Sequence, residues 1–324
     1  MYYWMVLVLL FLAELFYFRI ADKCNIIDKP NERSSHTKVT LRGGGIIFYF
    51  GALAYFLTSG FEYPCFLLAL TLVTFISFVD DIKSTGQMTR LLFHFSAMAM
   101  MFYQWGLFSL SWWWIVIALI VCTGIINAYN FMDGINGLAS SEAITFAACS
   151  AVLMAINPYT DAPGSLYPLT LALIGAGAGF LVWNFPVAKI FMGDAGSGFL
   201  GITIGLMILH IAKVDSHFFI AELCLLGIFI VDATTTLLRR LVAGKKVYEA
   251  HASHGYQILA RKYGSHVPVT SLAIAVNLLW LFPFAFFIAS GKIDGVVGLL
   301  IAWFPLLVVA LKCGAGVKDK ESNV

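Results

Sequence analysis

The chain has 324 residues, of which 60% are hydrophobic and only 12% are charged, and its formal net charge is +2. Soluble domains carry roughly 45–50% apolar and about 25% charged residues, so this composition excludes a soluble globule and indicates an integral membrane protein. It also excludes a disordered chain and a fibrous repeat, and the small net charge argues against a nucleic-acid partner.

Eleven apolar runs approach the length of about 20 residues that a membrane-spanning helix needs. The runs are apolar on all sides and lack the alternation of strands, so they predict helices in a lipid environment. The predicted fold is therefore all-α and polytopic, with about 11 transmembrane helices in one membrane-embedded domain over residues 1–324. The predicted spans are 2–18, 44–59, 62–79, 90–106, 111–128, 140–157, 166–184, 197–213, 218–238, 267–289 and 294–311.

Lys and Arg are distributed unevenly between the two sets of loops. Of the 20, 18 lie in loops that follow odd-numbered spans or in the C-terminal tail, and only Lys213 and Lys292 lie in the opposite loops. Because positively charged loops face the cytoplasm, the N-terminus is predicted outside and the C-terminus inside. The unusual polar clusters fall in the same loops, which predicts a site at the cytoplasmic face.

The first cluster in chain order is His36 with Arg42 and the three glycines Gly43, Gly44 and Gly45, at the end of the first predicted loop. A basic residue and backbone amides at a helix start can cradle an anion. A flexible hinge is the alternative interpretation.

Asp80 and Asp81 are adjacent at the end of the third predicted span. Neighbouring carboxylates repel each other, so the pair requires either a raised pKa or a bound cation. The alternative is a polar stop that marks the membrane boundary.

Amides, a carboxylate and glycines end the fifth predicted span in the run Asn127-Ala-Tyr-Asn130-Phe-Met-Asp133-Gly-Ile-Asn136-Gly. Glycines let the backbone approach a ligand closely, and Asn130 and Asp133 share a face if the helix continues. An ordinary turn between two spans is the alternative.

Asp194 lies among glycines in the run Phe191-Met-Gly-Asp-Ala-Gly-Ser-Gly at the start of the eighth predicted span. A carboxylate at a helix N-terminus is a suitable neighbour for a hard cation or a phosphate. The alternative is that Asp194 simply caps the helix.

Asp232 lies near the end of the ninth predicted span, ahead of Arg239 and Arg240. An ionisable group at membrane depth is a functional candidate, and pairing with one of the two arginines is the structural alternative. His251 and His254 follow in the longest predicted cytoplasmic loop. Such a pair could bind a metal, bind a phosphate or shuttle protons, and the basic residues around it favour phosphate.

These clusters share one membrane face and divide into two kinds of ligand. Asp and Asn side chains suit Mg²⁺, with Mn²⁺ as an alternative, better than zinc. Arg, Lys and His side chains suit phosphate groups. The residues therefore predict phosphoryl transfer that involves a lipid substrate.

The motifs, in this order, resemble the polyprenyl-phosphate N-acetylhexosamine-1-phosphate transferases, the membrane enzymes of the WecA and MraY type. The resemblance lies within residues 36–266. The number of spans and the run Asp232-Ala-Thr-Thr-Thr are nearer to the WecA branch. The spacing of the two histidines argues against the muramyl-pentapeptide substrate of the MraY branch.

The resemblance implies transfer of HexNAc-1-phosphate from a UDP-activated amino sugar to undecaprenyl phosphate, which gives undecaprenyl-diphospho-sugar and UMP. This reaction would prime a cell-surface polysaccharide such as O antigen, capsule or teichoic acid. It further implies a Mg²⁺-dependent, multi-pass protein of the bacterial plasma membrane with a cytoplasmic active site, and it leaves a homodimer open. No motif encodes which amino sugar is used.

Carried over by position, the resemblance implies catalytic roles for four aspartates. Asp194 would bind Mg²⁺, with Asn130 as a second ligand. Asp80 resembles the base for the lipid phosphate, Asp81 its partner, and Asp133 a residue on the nucleotide side. The implied substrate-binding residues are Arg42, Asn127, Asn130, Asn136, Lys189, Asp232, Arg239, His251 and His254.

Two points stay open in the sequence. Many relatives carry Asp where this chain has Asn136, which puts a base or metal role at that position in doubt. The lipid phosphate could attack directly, or an aspartate could form a covalent phospho-aspartyl intermediate.

Two other functions are compatible with a polytopic chain. A secondary transporter is the main alternative, and Asp232 is the residue that favours it. Transporters place their sites at the midplane between internal repeats, and no internal repeat is visible in this sequence. A structural anchor in a polysaccharide assembly complex is the third interpretation.

Overall fold

The protein is described by a computed structural model that covers residues 3–30, 38–58, 60, 62–83, 85–156, 165–212, 215–246 and 251–317. Helices dominate this part of the chain, and the two short strands β1 (Ile27–Asp28) and β2 (Thr40–Leu41) pair antiparallel. The helices are α1 (Tyr3–Lys23), α2 (Ile47–Thr58), α3 (Pro64–Ile82), α4 (Gln87–Gln104), α5 (Trp112–Met132), α6 (Leu138–Ala155), α7 (Tyr167–Asn184), α8 (Gly193–Ala212), α9 (Ser216–Leu225), α10 (Gly227–Val242), α11 (Gly255–Tyr263), α12 (Val267–Val276), α13 (Phe282–Ala289) and α14 (Gly295–Cys313).

Each predicted span overlaps a helix or a pair of consecutive helices. Among the described residues, seven helical stretches are long and apolar enough to cross a membrane, and α9 with α10 makes an eighth if the bent pair is one span. The structure is therefore nearly all-helical and agrees with a polytopic membrane protein. The count of eleven spans and the sides of the two termini stay predictions, and His36 and Lys213 lie outside the described residues.

Two of the predicted spans are not single straight helices. The span 218–238 is divided between α9 and α10, which meet at an angle of 72°. Gly227 lies at this bend, and a Cβ atom on it would come within 2.7 Å of the Trp303 indole nitrogen on α14. The span 267–289 contains a π-helical segment, Asn277–Leu281, between α12 and α13.

Helix α8 forms the centre of the molecule. It is buried along nearly its whole length, as expected for a helix that is apolar on every side. Glycines allow its neighbours to approach closely: a Cβ atom on Gly201 would lie 2.6 Å from the Ile126 Cα atom of α5, and one on Gly198 would lie 2.7 Å from the Ser77 hydroxyl of α3. The C-terminal halves of α3 and α5 therefore lie beside the N-terminal half of α8.

The glycine run after Arg42 packs closely against the segment that precedes α8. The Gly44 amide donates to the Phe191 carbonyl at 3.0 Å, and the Gly45 amide donates to the Met192 carbonyl at 2.9 Å. A Cβ atom on Gly45 would clash with the backbone of Gly196. Because the Gly44 and Gly45 amides are used by backbone carbonyls, these two amides are not available to an anion. The pairing instead brings Arg42 to the start of α8.

Candidate active site

Asp81 binds the N-terminus of α8. Its carboxylate is fully buried, and it accepts hydrogen bonds from the backbone amides of Asp194 and Ala195, each at 2.9 Å. The first amides of a helix lack partners within the helix, and a carboxylate stabilises them. The Arg42 Nε atom lies 2.7 Å from the same carboxylate. Asp81 therefore fixes the position of Asp194.

The interpretation of Asp194 as an ordinary cap of its own helix is wrong. Helix α8 begins at Gly193, and the capping carboxylate comes from Asp81 at the end of α3. Gly193 has a φ of +74°, and a Cβ atom on it would lie 2.6 Å from the Asp81 Oδ2 atom. Only glycine leaves room for this cap.

Asp194 has a cationic or amide partner on three sides. Its Oδ1 atom accepts hydrogen bonds from Arg42 Nη2 at 3.0 Å and from Asn130 Nδ2 at 3.1 Å. Its Oδ2 atom faces Arg90 Nη1 at 3.4 Å. The three partners come from the segment before α2, from α4 and from α5, so Asp194 is where these parts of the fold converge.

Asp80 is held in a separate environment from its neighbour Asp81. Its Oδ1 atom accepts hydrogen bonds from the Thr85 amide at 2.5 Å and the Thr85 hydroxyl at 2.7 Å. Its Oδ2 atom pairs with Arg90 Nη1 at 3.1 Å. Arg90 therefore bridges Asp80 and Asp194, just as Arg42 bridges Asp81 and Asp194.

These contacts define the carboxylate–arginine cluster, which consists of Asp80, Asp81, Asp194, Arg42 and Arg90. Sequence reasoning missed Arg90, which counted only as a cytoplasmic positive charge. A usable signal was its place in the first turn of α4, since a cation at a helix N-terminus opposes the helix dipole. A carboxylate partner elsewhere offsets that cost.

Asp133 follows the last residue of α5 and is half-buried. Burial by the surrounding protein and then the negative charge of Asp194 raise the pKa of Asp133 well above the usual value for aspartate. A Cβ atom on the next residue, Gly134, would clash with the Tyr256 hydroxyl. The turn that carries Asp133 therefore packs directly against α11.

His254 and Asp232 form a buried pair at the N-terminus of α11. The His254 Nδ1 atom lies 3.2 Å from Asp232 Oδ1. The same carboxylate accepts hydrogen bonds from the amides of Gly255 at 3.0 Å and Tyr256 at 2.9 Å. Asp232 therefore caps α11 and orients the imidazole of His254, and neither Arg239 nor Arg240 is its principal partner.

The two histidines stack on each other beside the end of α5. The rings of His251 and His254 lie 4.9 Å apart at 28°, and the ring of Phe131 lies 5.8 Å from His254 at 29°. Tyr256 donates from its hydroxyl to the Phe131 carbonyl at 2.9 Å. The segment 251–254, called the histidine loop below, is therefore attached to the turn that carries Asp133. This turn connects the histidine loop to the carboxylate–arginine cluster.

Four other predicted residues lie outside these two groups. Arg239 donates to the Ala315 carbonyl at 2.8 Å, and the Asn136 side chain donates to the Pro186 carbonyl at 3.2 Å. The Lys189 ammonium lies 5.1 Å from the centre of the Trp183 ring. Asn127 is exposed on α5, and its side chain makes no hydrogen bond to any residue that the structure describes.

The cluster offers the kind of oxygen ligands that Mg²⁺ prefers, but not a complete set. Among the described residues, no group of three or more His, Cys, Asp or Glu side chains is placed to hold a metal. Mg²⁺ is usually bound by one or two carboxylates together with substrate phosphates and water. Asp194 therefore fits an ion that is completed by substrate. The Asn130 amide turns its nitrogen, and not its oxygen, towards Asp194.

The fold and the site define a polytopic membrane protein with carboxylates and arginines gathered around the start of α8 and histidines at the start of α11. Residues 63–212 match the model of the family described as glycosyl transferase family 4. One relative, from Bacillus subtilis, is described as a probable undecaprenyl-phosphate N-acetylglucosaminyl 1-phosphate transferase. It is 30% identical to this chain over 291 residues, and the match covers 84% of this chain and 78% of the relative. The chain therefore belongs to the family of polyprenyl-phosphate N-acetylhexosamine-1-phosphate transferases, as its motifs predicted.

Two further relatives represent both branches of the family. The undecaprenyl-phosphate alpha-N-acetylglucosaminyl 1-phosphate transferase of Escherichia coli K12 is 27% identical over 289 residues, which cover 81% of this chain and 76% of the relative. The phospho-N-acetylmuramoyl-pentapeptide-transferase of Pelagibacter ubique is 26% identical over 213 residues, which cover 61% and 56%. The similarity to the N-acetylglucosaminyl relatives thus extends over more of the chain.

Proposed function

We propose that the protein transfers HexNAc-1-phosphate from a UDP-activated amino sugar to undecaprenyl phosphate, giving undecaprenyl-diphospho-sugar and UMP. The observation that carries this proposal is the placement of Asp194 at the start of α8 between two arginines. The relatives support it, because they are described as undecaprenyl- or decaprenyl-phosphate N-acetylglucosamine-1-phosphate transferases.

The main electrostatic difficulty of this reaction is that both substrates carry phosphates. Arginine guanidinium groups bind phosphate oxygens through two parallel hydrogen bonds. Arg42 and Arg90 are both partly exposed, with side-chain accessibilities of 29% and 30%, so each can contact a phosphate while it remains near its carboxylate. We assign to them the screening of the two anionic substrates.

The reaction is a displacement at the β-phosphorus of the donor. An oxygen of the lipid phosphate forms a new bond to this phosphorus, and the bond from the phosphorus to the oxygen shared with the α-phosphate breaks, so that UMP leaves with that oxygen. The second pKa of a phosphate monoester is about 6, so the lipid phosphate is largely dianionic near neutral pH. Asp80 therefore serves mainly to orient the lipid phosphate, and it contributes little as a general base.

Mg²⁺ is the proposed cofactor, with Mn²⁺ as an alternative, and Asp194 is its proposed ligand, with Asn130 as a second. When bound there, the ion would neutralise charge on the departing UMP. His251 and His254 would hold a phosphate of the donor. Asp133, which lies between these histidines and the carboxylate–arginine cluster, would face the nucleotide.

Direct displacement is favoured over a phospho-aspartyl intermediate by the hydrogen bonds of the carboxylates. Asp81 uses both oxygens for the amides of α8, so it is not free to attack phosphorus. Asp80 and Asp194 would have to leave their arginines to act as nucleophiles. The site proposed here lies at the cytoplasmic face of a bacterial plasma membrane, where it would prime a cell-surface polysaccharide.

The transporter alternative loses its principal support. Asp232 was the residue that favoured a transport site, and its carboxylate caps α11 and binds His254. Its hydrogen bonds thus have a structural explanation.

The test is a donor screen with the purified protein in lipid nanodiscs that contain undecaprenyl phosphate and Mg²⁺. UDP-GlcNAc, UDP-QuiNAc and UDP-FucNAc are supplied separately, and UMP release is measured with and without the lipid acceptor. We expect acceptor-dependent UMP release with at least one donor. Absence of release with every donor would contradict the proposal.

A further inference from the structure

The last turn of the described chain is bound to the histidine loop. This C-terminal turn (314–317) follows α14, and its Gly316 amide donates to the Ser253 carbonyl at 2.8 Å. Arg239 of α10 donates to the Ala315 carbonyl at 2.8 Å. Ala315 is itself completely buried. The turn after α14 is therefore hydrogen-bonded both to the segment that carries the histidines and to α10.

Ser253 connects this turn to the histidines. It lies between His251 and His254 in the chain and is completely buried. Its hydroxyl lies 3.1 Å from His251 Nδ1 and 3.3 Å from Arg240 Nη1. Since the carbonyl of the same residue accepts the Gly316 amide, one residue links the C-terminal turn to the ring of His251.

The turn can take this position only because residue 316 is glycine. Gly316 has a φ of +78°, a conformation that other residues rarely adopt. A Cβ atom there would lie 2.6 Å from the Thr236 carbonyl oxygen and 3.0 Å from the Arg239 Cβ atom. The C-terminal turn is thus fitted closely to α10 at the point where Arg239 holds it.

We propose that the C-terminal turn and Ser253 position the His251–His254 pair for binding a substrate phosphate. The role given to the histidines rests on the function proposed above. Ser253, Gly316 and Arg239 are positioning residues, since they act through the histidine loop. Arg239 therefore contributes to substrate binding indirectly, by holding the turn, and not by touching the substrate.

The positioning role is tested with Gly316→Ala and Ser253→Ala, and with Gly291→Ala as the matched control. Gly291 also has a positive φ, +65°, but a Cβ atom on it would meet open space, so the control reproduces the backbone strain without the clash. Ser253→Ala leaves the turn intact and covers the case in which Gly316→Ala fails to fold.

The first readout is hydrogen–deuterium exchange over residues 251–256, which does not depend on activity. We expect faster exchange in both test variants and wild-type exchange in Gly291→Ala. The second readout is kcat/KM for the UDP-sugar that the donor screen identifies. We expect a loss of about 10- to 100-fold, the scale on which small displacements of binding groups reduce rates, with most of the change in KM.

A double-mutant cycle separates positioning from general loss of stability. In a His251→Ala background, Ser253→Ala should add little further loss, because coupled residues are not additive. The inference would be overturned if the kcat/KM losses of His251→Ala and Ser253→Ala multiply fully in the double variant. It would also be overturned if both test variants keep wild-type exchange and wild-type kcat/KM. If the wild type releases no UMP, the proposed function fails, and the exchange measurement still decides whether the turn orders the loop.

Discussion

Asp194 owes its position to contacts that reach it from distant parts of the sequence. Arg42, Arg90 and Asn130 contact its carboxylate, while Asp81 holds its backbone amide. Because the capping contact uses the amide and not the side chain, the charge of Asp194 can be removed without removing the cap of α8.

Asp194→Asn should therefore abolish activity in a folded protein. The substitution keeps the shape of the side chain but removes the charge that pairs with both arginines and that we propose binds Mg²⁺, so UMP release should fall by about 100-fold or more. Thermal unfolding in detergent reports the folded state, and the exposed Asp22 provides the control Asp22→Asn. Activity close to that of the wild type would count against the assigned role.

Arg90 should be as important as Arg42, although it does not belong to any recognised motif of the chain. Arg90→Met leaves Asp80 and Asp194 without their shared cation and removes a proposed phosphate ligand, so KM for the donor or the lipid should rise by about tenfold or more. Lys83→Met removes a nearby but exposed positive charge and should have little effect. Equal effects of the two variants would reduce Arg90 to a contributor of general positive charge.

At the residue scale, the sequence predicted groups that are unusual in an apolar chain. Asp80, Asp81, Asn130 and Asp194 were found because carboxylates and amides at helix ends need an explanation. Ser253 was missed because serine is common and carries no charge. The cap that Asp81 provides was missed because its partner lies 113 positions away in the chain, a distance that residue spacing does not encode.

At the element scale, the start of α8 depends on backbone contacts that glycine alone permits. Gly45 meets Gly196, and Gly193 leaves room for the carboxylate of Asp81. These contacts hold the segment of Arg42 against the segment of Asp194. The glycines therefore act on the site through packing.

Gly45→Ala should destabilise the protein and displace Arg42. The added methyl group has no space against the backbone of Gly196, and overpacking of this kind costs about 1–3 kcal/mol. Gly124→Ala, on α5, is the control, because a Cβ atom there meets nothing within 4 Å. The midpoint of thermal or denaturant-induced unfolding should fall for Gly45→Ala only, and equal midpoints would refute the packing role.

Hydropathy predicted where the helices lie but not how they bend. The span 218–238 reads as one apolar run because an average over 20 residues or so conceals a single bend. The break occurs at Leu226, whose backbone leaves the helical conformation, and at Gly227, which packs against Trp303 of α14. Such a contact is tertiary, so the local sequence does not reveal it.

At the scale of the whole molecule, the distribution of Lys and Arg predicts that the site faces the cytoplasm. Cys24 is exposed just after α1 on the predicted cytoplasmic side, and Ser111 precedes α5 on the opposite side. In single-cysteine proteins, a membrane-impermeant maleimide should label Ser111→Cys in intact spheroplasts and Cys24 only after permeabilisation. The reverse pattern would invert the predicted topology.

The most direct test of the proposed reaction follows the two phosphates of the donor separately. Purified protein in nanodiscs with undecaprenyl phosphate and Mg²⁺ is given the reactive UDP-sugar labelled with ³²P at either the α- or the β-phosphate. Sugar-phosphate transfer predicts that the β label enters the lipid fraction and that the α label is released as UMP. In Asp194→Asn, both labels should remain in the UDP-sugar. A β label that stays with UDP while sugar reaches the lipid, or that never leaves the donor, would contradict the proposed reaction.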